Sequence, residues 1–196
     1  MHDELLALEE EILTKFPCRG DEWVTGLNIL GSSFIGMENS GPGSYIIDPI
    51  NCAVLSDTGV DGFHFVILVR DGRIDETCPV YAVAPACSGE LPMVVGDSFR
   101  SFLRFGLCRG FFGLSYLYFD LELTLLAYSS QHWHSTVERH DSNGLVPSER
   151  EWSVLRFVRE KLRLEPLSYT RQEFEELQNK YMPLLAYSAE WHRRYD

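Results

Sequence analysis

With 196 residues and 22.5 kDa, the chain has room for one large domain or two small ones. A hydrophobic share of 45%, with 12 Phe, 9 Tyr and 4 Trp, supplies enough apolar surface to offset chain entropy, which excludes intrinsic disorder. Net charge is −12 and unevenly placed: residues 1–100 carry 16 Asp and Glu against 5 Lys and Arg, residues 101–196 carry 13 against 12. Such a field opposes binding to phosphate backbones, excluding nucleic acid, and favours a basic protein partner.

In chain order, residues 3–16 predict an amphipathic helix, with Asp3 as N-cap, Leu5, Leu8, Ile12 and Phe16 at helical spacing, and Pro17 as the stop. Residues 18–43 are rich in glycine and predict loops with a short strand at Leu27–Leu30. Tyr45–Ile47, Ala53–Leu55, Phe63–Val69, Pro79–Ala84 and Pro92–Val95 read as strands between turn residues. Phe63–Val69 is almost wholly apolar, so it predicts a central strand covered on both faces. Asp71-Gly72 after it is a hairpin signal, because both residues tolerate positive φ. Short turns between strands predict an antiparallel meander.

The period changes at Gly96. Asp97 is expected to cap a helix carrying Phe99, Phe102 and Leu103 that closes near Gly106, and Asp120 to cap another reaching about Tyr128. Residues 129–147 read as loop. Two capping boxes then open helices, Ser148-x-x-Glu151 and Thr170-x-x-Glu173. The fold class expected is α+β: a mainly antiparallel sheet flanked by helices over 1–128, with 129–196 a loop and two-helix extension packed on the same domain.

Chemistry-bearing patterns are sparse. The five cysteines (18, 52, 78, 87, 108) show no C-x-x-C spacing, which suits free thiols in a reducing compartment. No basic n-region opens the chain, and no apolar run reaches the ~18 residues of a bilayer span, so the sequence reads as cytoplasmic with no membrane partner. His132-Trp133-His134, with Glu138 and His140, lacks a fixed third metal ligand, so no metal or other cofactor is expected. Gly113-Leu114-Ser115-Tyr116-Leu117 lacks the second Gly of a nucleophile elbow. His64, inside the apolar run, is expected to be a hydrogen-bonded core residue. No catalytic residue is assigned. A hydrolase using Cys108 or the His132–His140 cluster remains the enzymatic alternative.

Leu55-Ser56-Asp57-Thr58-Gly59-Val60-Asp61-Gly62-Phe63-His64-Phe65 resembles the S-T-G-x-D-G-x-H-F turn and strand of bacterial SUKH-superfamily members. Val94-Val95-Gly96-Asp97-Ser98-Phe99-Arg100-Ser101-Phe102-Leu103 resembles that family's V-G-x-S-F-x-x-F-L strand-to-helix passage, and Pro79, Val80 and Pro85 are similar in position. The resemblance covers roughly residues 1–128. The tail from 129 departs from it, and Trp23 is the nearest counterpart of the family's early Trp-Gly element. It implies a curved, mainly antiparallel sheet with packed helices, and binding without catalysis, many members neutralising a toxin. Together with the charge, it places the expected contact surface on Asp21, Glu22, Asp48, Asp57, Asp61, Asp75 and Glu76, facing another protein such as a basic toxin domain. A regulatory or scaffolding protein is the other binding alternative.

Overall fold

The computed structural model describes residues 2–17, 45–57, 62–87, 91–129 and 149–195. Helix α1 (His2–Lys15) contains Asp3 within its first turn, and Leu8 and Ile12 enter the core from it. Four strands follow: β1 (Cys52–Asp57), β2 (His64–Leu68), β3 (Val80–Val83) and β4 (Met93–Gly96). They form one antiparallel sheet in the order β1-β2-β3-β4, the meander that short turns predict. Between Arg70 and Arg73, Asp71 (φ 51°) and Gly72 (φ 72°) both take the left-handed conformation of a tight hairpin turn.

Helices follow in sequence: α2 (Phe99–Gly106), a 3-10 segment (Phe112–Tyr118), α3 (Leu121–Ala127), α4 (Glu149–Leu162), α5 (Arg171–Tyr181), a 3-10 turn (Met182–Leu184) and α6 (Ala189–Tyr195). The cap of α2 is Ser98, whose Oγ accepts from Ser101 N at 3.2 Å. Asp97, expected in that role, instead accepts hydrogen bonds from the Ser98 and Ser101 hydroxyls. Asp120 caps α3, and Thr170 and Glu173 form the full capping box of α5, both as expected. Ser148 lies outside the described residues, as do the strand expected at Leu27–Leu30 and Trp23; α4 begins one residue after Ser148.

Alternation along the strands divides the core into two layers. Ala53, Leu55, Phe65, Ile67, Val80, Ala82 and Val95 face a large cluster built with α1, α2, the 3-10 segment, α3 and α4. Cys52, Val66, Leu68, Tyr81, Val83 and Val94 face Ile47 and Leu177, with Tyr181, Met182, Leu185, Trp191 and Tyr195 packed around them. All five β2 residues are buried, as expected of a strand covered on both faces. The second face is roofed by the C-terminal helices. Gln178 of α5 also closes the outer edge of β4, its amide accepting from Val94 N (2.8 Å) and donating to Val94 O (2.9 Å).

Tyr45–Ile47, expected as a strand, is a turn. Its reason is local: Asp48 Oδ2 accepts from Tyr45 N at 2.7 Å, and Asp48 N donates to Tyr45 O at 3.0 Å, closing the loop on itself. Gly96 admits no side chain, since a Cβ there would stand 2.5 Å from Phe102 N and 2.8 Å from Phe102 Cα.

Candidate functional site

One end of the sheet carries a buried polar pair. There β1 ends at Asp57, which pairs with His64 at the start of β2, and His64 pairs in turn with Val83 at the end of β3. Neighbouring residues of a strand point to opposite faces, so Phe63 and His64 serve different surroundings.

His64 is buried, as expected of a hydrogen-bonded core residue. Its Nδ1 donates to Gly62 O at 2.7 Å, and its Nε2 faces Asp48 Oδ1 at 2.9 Å. Both ring nitrogens are therefore engaged within the protein. Tyr45 stacks on the ring, centroids 5.6 Å apart. Gly62, at φ +70°, keeps this corner open, because a Cβ there would meet the Tyr45 hydroxyl at 2.6 Å. The unit ties the 45–50 turn to the sheet.

That pairing corrects one expected contact residue. Asp48 is 4% exposed, with one carboxylate oxygen on His64 and the other on the Tyr45 amide, so it serves the interior and not a partner. A carboxyl group is retained in the interior where hydrogen bonds replace its water.

Asp75 and Glu76 are exposed. They lie past the far end of β2, before β3, separated from Asp57 by the length of a strand, roughly 15 Å. Asp57 and the Asp75-Glu76 pair therefore stand at opposite ends of β2. Asp75 is also a turn residue: Oδ1 accepts from Thr77 N (2.7 Å), Thr77 Oγ1 (2.5 Å) and Cys78 Sγ (3.7 Å). The bonds from Thr77 hold its carboxyl below the usual carboxylate range. Glu76 lends its carbonyl to Phe99 N at 3.0 Å, beside the start of α2. Asp21, Glu22 and Asp61 lie outside the described residues, as do His132, His134, Glu138 and His140.

The candidate nucleophile Cys108 is held as a donor. Its Sγ donates to Leu167 O and to Arg104 O, each at 3.2 Å, and burial pushes the thiol up to about 12. Cys52 is likewise pushed up to about 12, by burial first and then by the charge of Asp48. Neither is a thiolate at neutral pH, the form that attacks an electrophile. Among the described residues, no group of three His, Cys, Asp or Glu side chains is placed to hold a metal ion.

Sequence reasoning missed a surface groove on the opposite side of β2 from His64. Phe63, Ala84 and Cys87 form one wall, Phe112, Ser115 and Phe119 the other, around about 350 Å³. Rings of the 3-10 segment meet edge to face along it, Phe112 with Tyr116 at 6.5 Å and Tyr116 with Phe119 at 6.1 Å. Phe119 is 72% exposed. The one signal in sequence was the aromatic density of Phe111-Phe112-Gly113-Leu114-Ser115-Tyr116-Leu117-Tyr118-Phe119, which reads equally well as buried core.

The chain matches no family model, no curated protein and no solved structure. Function therefore rests on the chemistry of these residues. Among the described residues, no helix is long and apolar enough to cross a membrane.

Proposed function

We propose that this chain is a non-catalytic protein-binding module of SUKH type, which neutralises a basic toxin domain through acidic groups around its sheet. The observation that carries this reading is the segregation of charge. Residues 1–100, which supply all four strands, hold 16 acidic against 5 basic residues, a balance of −11 of the total −12. Carboxylates displayed from turns beside a rigid sheet steer a cationic partner and reject anionic ones. Two further features support it. An antiparallel sheet with helices packed against it is what the sequence resemblance implies, and the His64 ring and the Cys108 thiol are held in structural hydrogen bonds.

The test is co-expression with a toxin encoded beside this chain, followed by light scattering of the mixed proteins. Expected are restored growth and a defined complex whose association rate falls with salt. Asp57→Lys with Asp61→Lys should slow association, as should Glu76→Lys, compared in variants whose circular dichroism shows them folded. Association that ignores both reversals and salt refutes the reading, and a homo-oligomer that occludes these turns favours a scaffold.

A further inference from the structure

We propose that residues 182–195 form a releasable strap, which opens on a hinge at Met182-Pro183 while the rest of the fold stays closed, and so uncovers the second face of the sheet. The inference is independent of the recognition reading above. It starts from a difference in anchoring along the C-terminal chain. Helix α5 buries Phe174 and Leu177 and grips Val94 through Gln178, so it belongs to the core. Beyond it, no residue of 182–195 is buried. The change falls at Met182-Pro183-Leu184, where the helix tightens into a 3-10 turn and Pro183 supplies no backbone donor. Leu185 after it is extended (φ −76°, ψ 141°). Helix α6 has seven residues, too few to persist without the surface it rests on.

What the strap covers is nevertheless core. Met182, Leu185, Trp191 and Tyr195 pack over the layer that holds Cys52, Leu68 and Tyr81, all three buried. Tyr187 stacks on Trp191 with centroids 4.3 Å apart, and Trp191 meets Tyr195 at 5.6 Å, so the rings form one continuous row that leaves and returns together. Polar ties to the sheet gather at one place. Asn51 Nδ2 donates to Leu184 O at 2.8 Å, Asn51 Oδ1 accepts from Ala186 N at 2.9 Å, and Ile50 N donates to Ala186 O at 2.8 Å. Asn51, itself half-buried, is thus the latch. Closure has a cost at Tyr187. Its hydroxyl is buried near Cys52 with no hydrogen-bond partner among the described residues, and it regains water when the strap lifts. A segment with no buried residue, ties gathered on one latch and a stranded hydroxyl opens below the free energy of global unfolding.

Cys52 reports the opening, because its thiol lies under the strap while Cys78 and Cys108 lie in the other core layer. The full chain is alkylated with N-ethylmaleimide at neutral pH, in urea below the unfolding transition, and each cysteine is followed by peptide mass spectrometry. Cys52 should react roughly tenfold faster or more than Cys78 and Cys108, at a rate that barely changes with urea. Asn51→Ala, which removes two of the ties, should raise the Cys52 rate about tenfold relative to Cys108 in the same sample. Tyr187→Phe keeps the ring stack, removes the stranded hydroxyl and should lower that relative rate. Hydrogen exchange gives a second readout: the Ala186, Trp191 and His192 amides should exchange ahead of the Leu68 amide in β2. One common rate for Cys52, Cys78 and Cys108 in the wild type overturns the strap. So does Asn51→Ala moving all three in proportion, or Tyr187→Phe labelling at or above the wild-type relative rate.

Discussion

Asp48 lost its expected place on the contact surface because its carboxylate is spoken for inside the protein. One oxygen meets His64 Nε2 and the other the Tyr45 amide, with the side chain shielded from water. Asp48→Ala would leave a buried imidazole facing no acceptor and an amide without its partner, a loss of about 3–5 kcal/mol in urea unfolding. Replacing both members, Asp48→Leu with His64→Leu, should recover much of that loss, because an apolar pair strands no polar group. A wild-type midpoint for Asp48→Ala would show that the pair adds nothing to stability. Sequence anticipated a hydrogen-bonded His64 from its apolar neighbours. Its partner, sixteen positions earlier, was beyond any local pattern.

Capping chemistry made the ends of the helices readable. Thr170 Oγ1 accepts from Glu173 N at 3.2 Å while Glu173 Oε2 accepts from Thr170 N at 2.8 Å, as the Thr-x-x-Glu spacing predicts. Hydrogen bonds from Thr170 hold the Glu173 carboxyl below its ordinary range. Thr170→Ala should therefore reduce stability by about 1 kcal/mol above pH 5. The difference should narrow in acid, as Glu173 protonates and its part of the box is lost in the wild type too. A constant difference from pH 7 to pH 2 would argue against the reciprocal bond. Helix α6 was missed, although Ser188 Oγ accepts from Trp191 N at 3.1 Å and supplied a cap signal. Seven residues with Trp191 and Tyr195 four apart are too short for periodicity to stand out, and this helix is held by the sheet face beneath it.

Across the molecule, both core layers bury thiols, Cys52 under the C-terminal helices, Cys78 and Cys108 on the opposite side, and burial raises Cys52 and Cys108. Folding raises both to about 12, so between roughly pH 9 and pH 12 the unfolded chain loses these protons and the folded one keeps them. Stability should then be level up to about pH 9 and fall above it, with the buried hydroxyls of Tyr81, Tyr128, Tyr169 and Tyr187, also raised by burial, adding to the fall above about pH 10. Cys52→Ala with Cys108→Ala should make the fall shallower between about pH 9 and 10, below the range of the tyrosines, in a pH series of urea titrations. An identical slope would assign it to other groups.

Local rules carried the reading a long way: an apolar run gave β2, Asp71-Gly72 gave the hairpin, short turns gave the meander, and Asp120 and Thr170 gave two helix starts. These depend on bonds and periods within a few residues, which any window of sequence contains. Strand length, and not spacing along the chain, sets the distance between Asp57 and Asp75, which stand at opposite ends of β2. The roof over the second face was equally hidden, since Gln178 reaches Val94 across 84 positions, and Asn51 holds Leu184 O and Ala186 N across more than 130. The groove needed three separated stretches to converge. Composition could count its aromatics, but which ring faces solvent follows from how layers pack, and that is fixed by contacts between distant parts of the chain.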